Sequence, residues 1–244
     1  MRKRQNNREA AIFDPHLAGH VTFAPAAPDL PPLAPGHHNL GLSAERDALL
    51  VVPEGLEPGV PVPLMVLFHG GGGSAQKILP MMEQHALTHR FLLLVPQSVF
   101  PTWDIVIAGN GPDRERLETA LALVARHFEI DRTRICFAGH SDGGSYTLSL
   151  GLTNGHFVTH LIVSSAGFMS VQRQSGAPRV FISHGVNDEQ IPVQRSGRAH
   201  TALLKEAGYD VTYMEYNGPH AWQPPVVGLA VSFFLEPAAA PATP

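Results

Sequence analysis

Seven short apolar runs, at residues 47–52, 63–68, 91–95, 133–138, 160–164, 179–183 and 210–216, recur along the chain with longer stretches between them. Most are continuous in Val, Ile, Leu and Phe rather than alternating with polar residues. That is the pattern of strands buried on both faces, as in a parallel sheet covered by helices. The stretches between them read as those helices. In 113–128, Leu117, Ala120, Leu121, Val124 and Phe128 recur at i, i+3 and i+4 spacing, with Asp113 placed after Pro112 to cap the start. Residues 75–88, 144–153, 194–207 and 222–235 continue the alternation. The expectation is an α/β fold, a mostly parallel, doubly wound sheet flanked by helices.

At 244 residues the chain suits one such domain. Residues 1–40, rich in Pro and Ala and without apolar periodicity, read as an extended lead-in with no helix or strand. Residues 41–236 read as the folded domain, and 237–244 as a flexible Pro/Ala tail. Arg2, Lys3, Arg4 and Arg8 make the start basic, but Asp14, Pro15 and His16 interrupt the apolar run that a secretory leader needs. No run approaches the roughly 18 apolar residues of a membrane span. A net charge of −4, with 17 Lys and Arg spread along the chain, offers no basic face for nucleic acid. The one cysteine, Cys136, excludes an internal disulfide and the paired-cysteine zinc spacings, so the chain suits a reducing compartment and a cytoplasmic location is expected. Cys136 lies inside an apolar run and reads as an inert buried thiol.

Gly139-His140-Ser141-Asp142-Gly143 is a G-x-S-x-G pentapeptide that occurs once. It stands between a strand-like run and a helical one, the setting of a nucleophile elbow. There two glycines permit a tight turn, and the turn lifts the serine hydroxyl above the sheet at a helix N-terminus. A serine hydroxyl is a weak nucleophile and needs a base within hydrogen-bond reach and an acid to orient that base. In open α/β sheets such groups lie beyond the carboxyl ends of strands. Asp188 occupies that position after the run 179–183. Asp210 opens a strand at the opposite edge, Asp142 lies inside the elbow, and Glu215, near the end of its strand, is the remaining rival. His220 follows the last strand through Asn217-Gly218-Pro219, whereas His200 falls within a helix and His184 reads as a core or supporting residue.

His69-Gly70-Gly71-Gly72-Gly73 directly follows the run 63–68, and its glycines let backbone amides approach a developing oxyanion. The expected donors are Gly71 or Gly72 together with Asp142, the residue after the nucleophile. No Gly-Lys-Ser/Thr follows, so the phosphate-loop reading fails. Trp103, after the run ending at Val95, and Phe168 and Met169, after Ser164, are expected to line the cleft. Only about a dozen residues separate the run ending at Ser164 from Arg179, too few for an inserted helical cap, which implies an open, shallow site.

With the elbow at Gly139–Gly144, Thr102-Trp103-Asp104, Leu152-Thr153-Asn154-Gly155, Gly167-Phe168-Met169, the segment Ser183 to Asp188, and Gly218-Pro219-His220, the sequence resembles the phospholipase/carboxylesterase branch of the α/β-hydrolase superfamily. That branch includes polyhydroxybutyrate-depolymerase-like and feruloyl-esterase-like enzymes, and the resemblance spans about residues 40–235. It implies an α/β-hydrolase fold without a cap domain. It further implies a Ser141–Asp188–His220 triad, no metal or organic cofactor, and a small-molecule ester as substrate. A serine peptidase or thioesterase on the same fold, and a catalytically silent binding protein, are the competing readings. The oligomeric state is left open.

Overall fold

A computed structural model describes residues 19–107, 111–171 and 173–238 of the chain. The basic start of the lead-in and the tail beyond residue 238 lie outside the described residues. Eight strands form one sheet in the order β1-β2-β4-β3-β5-β6-β7-β8. These are β1 (Gly36–Asn39), β2 (Leu49–Val52), β3 (Val62–Phe68), β4 (Leu92–Val95), β5 (Ile130–His140), β6 (His160–Ser164), β7 (Arg179–Gly185) and β8 (Val211–Tyr216). β1 and β2 run antiparallel at one edge, and every pairing from β4 to β8 is parallel.

The pleat divides the apolar runs between two layers. In β3, Leu64, Val66 and Phe68 face one layer with Leu117, Leu121 and Val124 of α4 (Pro112–His127) and Leu148 and Leu152 of α5 (Asp142–Thr153). Met65 and Leu67 face the other with Met82, with Ala86 of α2 (Glu83–His89), and with Val227, Val231 and Phe234 of α7 (Pro224–Leu235). α6 (Gly197–Glu206) adds Leu204 to the first layer. No helix among the described residues is long and apolar enough to cross a membrane.

Three local expectations are corrected. The segment 75–88 is not one helix. Pro80, which lacks an amide hydrogen, falls in a 3-10 turn at Leu79–Met81 that separates α1 (Ala75–Ile78) from α2. Asp113 does not cap its own helix, because Gly111 is the N-cap. Instead Asp104, in the short helix α3 (Asp104–Ile107), accepts from the amides of Gly111 at 3.1 Å and Asp113 at 3.0 Å. Asp113 returns the contact, its Oδ2 accepting from Asp104 N at 2.9 Å and its Oδ1 from Val99 N at 2.7 Å. Finally, the lead-in contains a strand, β1, whose sequence Gly-His-His-Asn carries no apolar signal. It forms because an edge strand needs only backbone pairing, here with β2.

Ahead of β1, residues 19–35 form a strap across the end of the sheet where the parallel strands begin. Val21 and Phe23 are buried, and the Phe23 ring meets Phe157 edge-on at 5.1 Å. Asn154, fully buried after α5, is the anchor. Its Oδ1 accepts from Val21 N at 2.8 Å, and its Nδ2 donates to Gly19 O at 2.7 Å and Leu150 O at 2.8 Å. An alanine there would leave the buried Val21 amide without its acceptor and remove the side-chain bonds to Gly19 O and Leu150 O. Asn154→Ala is therefore expected to lower stability by about 2–3 kcal/mol, read from the urea midpoint at constant m-value. A midpoint unchanged from wild type would show that the strap is not held through Asn154.

Candidate active site

The turn between β5 and α5 is crowded enough to dictate its residues. A Cβ on Gly139 would collide with Gly143 O, and one on Gly143 would collide with Phe68 O at the end of β3. Between them Ser141 takes φ 58° and ψ −124°, a conformation that costs an L-residue about 1–3 kcal/mol and persists only because its surroundings enforce it. Its amide donates to Ser164 O of β6 at 2.9 Å and its carbonyl accepts from Ser145 N at 2.9 Å, so both sides of the turn are fixed.

The loops after β7 and β8 are laced together by Asn187 N donating to Gly218 O at 3.1 Å and by the Asn187 and Asn217 side chains at 2.7 Å. Tyr216 Oη donates to Ala221 O at 2.6 Å, bracing the turn that carries His220. This lacing brings three distant residues together. His220 Nδ1 lies 2.6 Å from Asp188 Oδ2, and His220 Nε2 lies 2.9 Å from Ser141 Oγ. The carboxylate only accepts, so Nδ1 carries the hydrogen, leaving Nε2 to accept the serine proton. Burial works to raise the Asp188 carboxyl. The Ile191 amide and the His220 imidazole outweigh it and hold the group below the usual range. The carboxylate is thus ionised at neutral pH although its side chain is fully buried.

A second imidazole crowds the first. The His140 ring lies 4.7 Å from that of His220, with its Nδ1 3.1 Å from Ser164 Oγ. Burial, and then the charge that His220 can carry, push His140 down to about 4. His140 therefore stays neutral while His220 takes up a proton.

Facing the elbow, the glycine loop after β3 is braced by the segment 101–103. Gly72 N donates to Pro101 O at 2.7 Å, Trp103 Nε1 to His69 O at 2.7 Å, and Thr102 Oγ1 to Asp142 Oδ2 at 2.6 Å. Two of the expected roles change as a result. The Gly72 amide is engaged in the brace and is not available to an oxyanion. Trp103 is 1% exposed, stacked on Tyr146 at 4.7 Å, and supports the loop from beneath instead of forming a wall open to substrate. The amides of Gly71 and Asp142 donate to no other residue among the described ones. A Cβ on Gly71 would sit 2.5 Å from Asp142 Oδ2, so a side chain there would have to displace the carboxylate that Thr102 holds. Phe168 and Met169 stand half-buried beyond β6, and the Phe168 amide is held by Ser145 Oγ at 3.3 Å. Glu215, the rival acid, is turned away. Arg198 grips it at 2.6 and 2.9 Å, Tyr213 Oη donates at 2.7 Å, and these contacts hold its carboxyl down to about 2.

The sequence reading missed the brace that Thr102 gives to Asp142 and the contact of the His140 ring with His220. Neither carries a local signal, since each acts through a neighbour brought in by the sheet. A cleft of about 400 Å³, lined by Leu30, Leu33, Leu56 and Phe128, lies at the opposite end of the sheet beneath the strap. It holds no nucleophile beside a base.

Strand order, elbow and the position of these loops define the α/β-hydrolase fold, with no cap domain among the described residues. No family model and no curated protein matches the chain in sequence. Among solved structures it is similar to the fluorophosphonate-binding serine hydrolase F of Staphylococcus aureus, with a TM-score of 0.68 at 15% identity over 82% of this chain and 99% of that one. It is also similar to a thermophilic esterase of Thermogutta terrifontis with butyrate bound, with a TM-score of 0.65 at 17% identity over 83% and 94%. The esterase PE8 gives 0.64 at 18% identity over 77% and 96%. At these identities the likeness is one of fold.

His140 makes stability pH-dependent in a defined direction. Its folded value of about 4 lies below the 6.5 of the unfolded chain, so the unfolded state binds the proton first. The stabilisation is complete above 6.5 and is lost as pH falls toward 4, at roughly 1.4 kcal/mol per pH unit. His160, also pushed to about 4 by burial, adds to it, whereas Asp104, raised to about 6 by burial and by Asp113, works against it. Urea unfolding between pH 7 and about 4.5 is expected to show His140→Gln losing less stability than wild type over that window. Parallel curves for the two proteins would contradict the buried neutral imidazole.

Proposed function

We propose that the protein is a serine hydrolase that cleaves small carboxylic esters through an acyl-enzyme, with residues 41–236 as the catalytic domain. The observation that carries this reading is the unbroken hydrogen-bond chain from Ser141 Oγ through His220 to a buried, ionised Asp188. Ser141 attacks the ester carbonyl while His220 Nε2 takes its proton. His220 then delivers that proton to the departing alkoxide, and in the second half it activates water in the same way. Asp188 fixes the His220 tautomer and stabilises the imidazolium. The free amides of Gly71 and Asp142 receive the oxyanion, and Phe168 and Met169 flank the acyl group. Structural neighbours that are esterases, one holding butyrate, support the ester reading and a short acyl chain. The single buried Cys136 supports a reducing, cytoplasmic setting.

Ser141→Ala is expected to fold normally and lose about 10³-fold or more in kcat on p-nitrophenyl esters. Asp188→Asn is expected to lose up to about 10⁴-fold with little change in KM, and Glu215→Gln to stay within a few-fold. A crippled Glu215→Gln beside a near-normal Asp188→Asn would overturn the assignment of the acid.

Without a cap there is no tunnel for a long acyl chain. Activity across a p-nitrophenyl ester series is expected to fall beyond about six to eight carbons, because extra methylenes find little apolar surface to bury. Peptide anilides and thioesters assayed alongside distinguish the peptidase and thioesterase readings. Rates that climb steadily with chain length, or that are higher on thioesters, would redirect the substrate assignment.

A further inference from the structure

The carboxylate of the triad is touched by a second imidazole. His184, near the end of β7, is as fully buried as the Asp188 side chain, and its Nε2 lies 3.2 Å from Asp188 Oδ2. That is the same oxygen that meets His220 Nδ1 at 2.6 Å. His184 Nε2 is also 2.8 Å from Ile191 O. A carbonyl oxygen only accepts, so Nε2 carries a hydrogen and donates it to Ile191 O, with the same ring edge standing against the carboxylate. The Ile191 amide in turn donates to Asp188 Oδ1 at 2.8 Å, which closes a ring through His184, Asp188 and Ile191. On the far side of the ring, His184 Nδ1 faces Ser196 Oγ at 3.4 Å, and that hydroxyl donates to Ala166 O. α6 admits the imidazole only because it begins with Gly197, where a Cβ would come 2.9 Å from His184 Cβ and 3.0 Å from its Nδ1.

The titratable groups around His184 leave Asp188 as its partner. From β8, Glu215 is already tied to Arg198 of α6 and to Tyr213. From α6 and the elbow, His200 and His140 are pushed down by burial and are neutral. His220 faces the same carboxylate from the other side. Asp188 Oδ1 is pinned by the amides of Gln190 and Ile191, but without His184 its Oδ2 would be held by His220 alone.

We propose that His184 is a positioning residue for the reaction, anchoring Asp188 Oδ2 so that the oxygen meets His220 at a fixed angle with its charge divided between two imidazoles. The inference rests on the triad reading above. A divided charge stabilises the His220 imidazolium less than a whole one, so His220 returns its proton to the leaving group more readily.

Three variants test this: His184→Gln, whose amide reaches the same oxygen, His184→Asn, whose shorter amide does not, and His184→Leu, which has no donor. Two readouts need no ester turnover. One is the rate of fluorophosphonate labelling of Ser141 from pH 5 to 9, and the other is the titration of His220 followed by NMR of isotope-labelled histidine. Leu and Asn are expected to slow labelling by about tenfold and move the His220 midpoint to higher pH by about half to one unit, while Gln keeps both near wild type. Should Leu fail to fold, Asn against Gln makes the same comparison. A midpoint that does not move in Asn or Leu, or a Gln no better than Asn, would falsify the proposal. If the variants show these shifts while the wild-type protein is labelled but cleaves no ester, the ester assignment alone would be overturned.

Discussion

One crowded crossing governs the rest of the molecule: the turn that leaves β5 passes so close over the end of β3 that backbone touches backbone. The contact of Gly143 with Phe68 O leaves no room for side chains, and it forces Ser141 into a backbone conformation that it would not adopt alone. The strain is borne by a parallel sheet whose central strands are buried on both faces, the most rigid part of such a fold. Because β3 also delivers the glycine loop, the same contact sets the distance between the nucleophile and the amides that face it. Ser141 and the Gly71 amide are thereby held in register by packing rather than by either loop.

Much of this was legible in the sequence, for a physical reason. Strands buried on both faces must be continuously apolar, so β3, β4, β6 and β7 announce themselves, and the groups that stand beyond their carboxyl ends can be counted from there. Ser141, Asp188 and His220 are reached in the same way, in short loops after β5, β7 and β8, and the structure brings the three side chains together. What the sequence concealed depends on partners far along the chain. β1 has no apolar pattern because its stability comes from pairing with β2. Trp103 looks like a cleft-lining aromatic until Tyr146 and Phe68 close over it. Gly71 and Gly72 are indistinguishable in a run of four glycines, and only the carbonyl of Pro101 tells them apart.

The site also shows how burial can assign roles among like groups. Three imidazoles, His140, His184 and His220, lie within one cluster around a single carboxylate. His140 is desolvated and neutral, and His184 is engaged with Asp188 and Ile191. His220 alone has a ring nitrogen directed at the serine. Proton acceptance is therefore confined to one nitrogen by geometry, and by the cost of placing a second positive charge beside it.

The strap has a consequence for how the chain is made. Val21 finds its partner Asn154 133 residues later in sequence. During synthesis at about 5–20 residues per second, that separation leaves Val21 and Phe23 without their docking surface for roughly 7 to 27 s. Closing so long a loop also carries an entropic cost that shorter-range strand pairings avoid, so the strap is among the last parts to settle. The newborn protein thus passes through a stage in which the sheet can assemble while the apolar surface around Phe157 is still wet, and chaperones or a neighbouring ribosome's product would meet that face first.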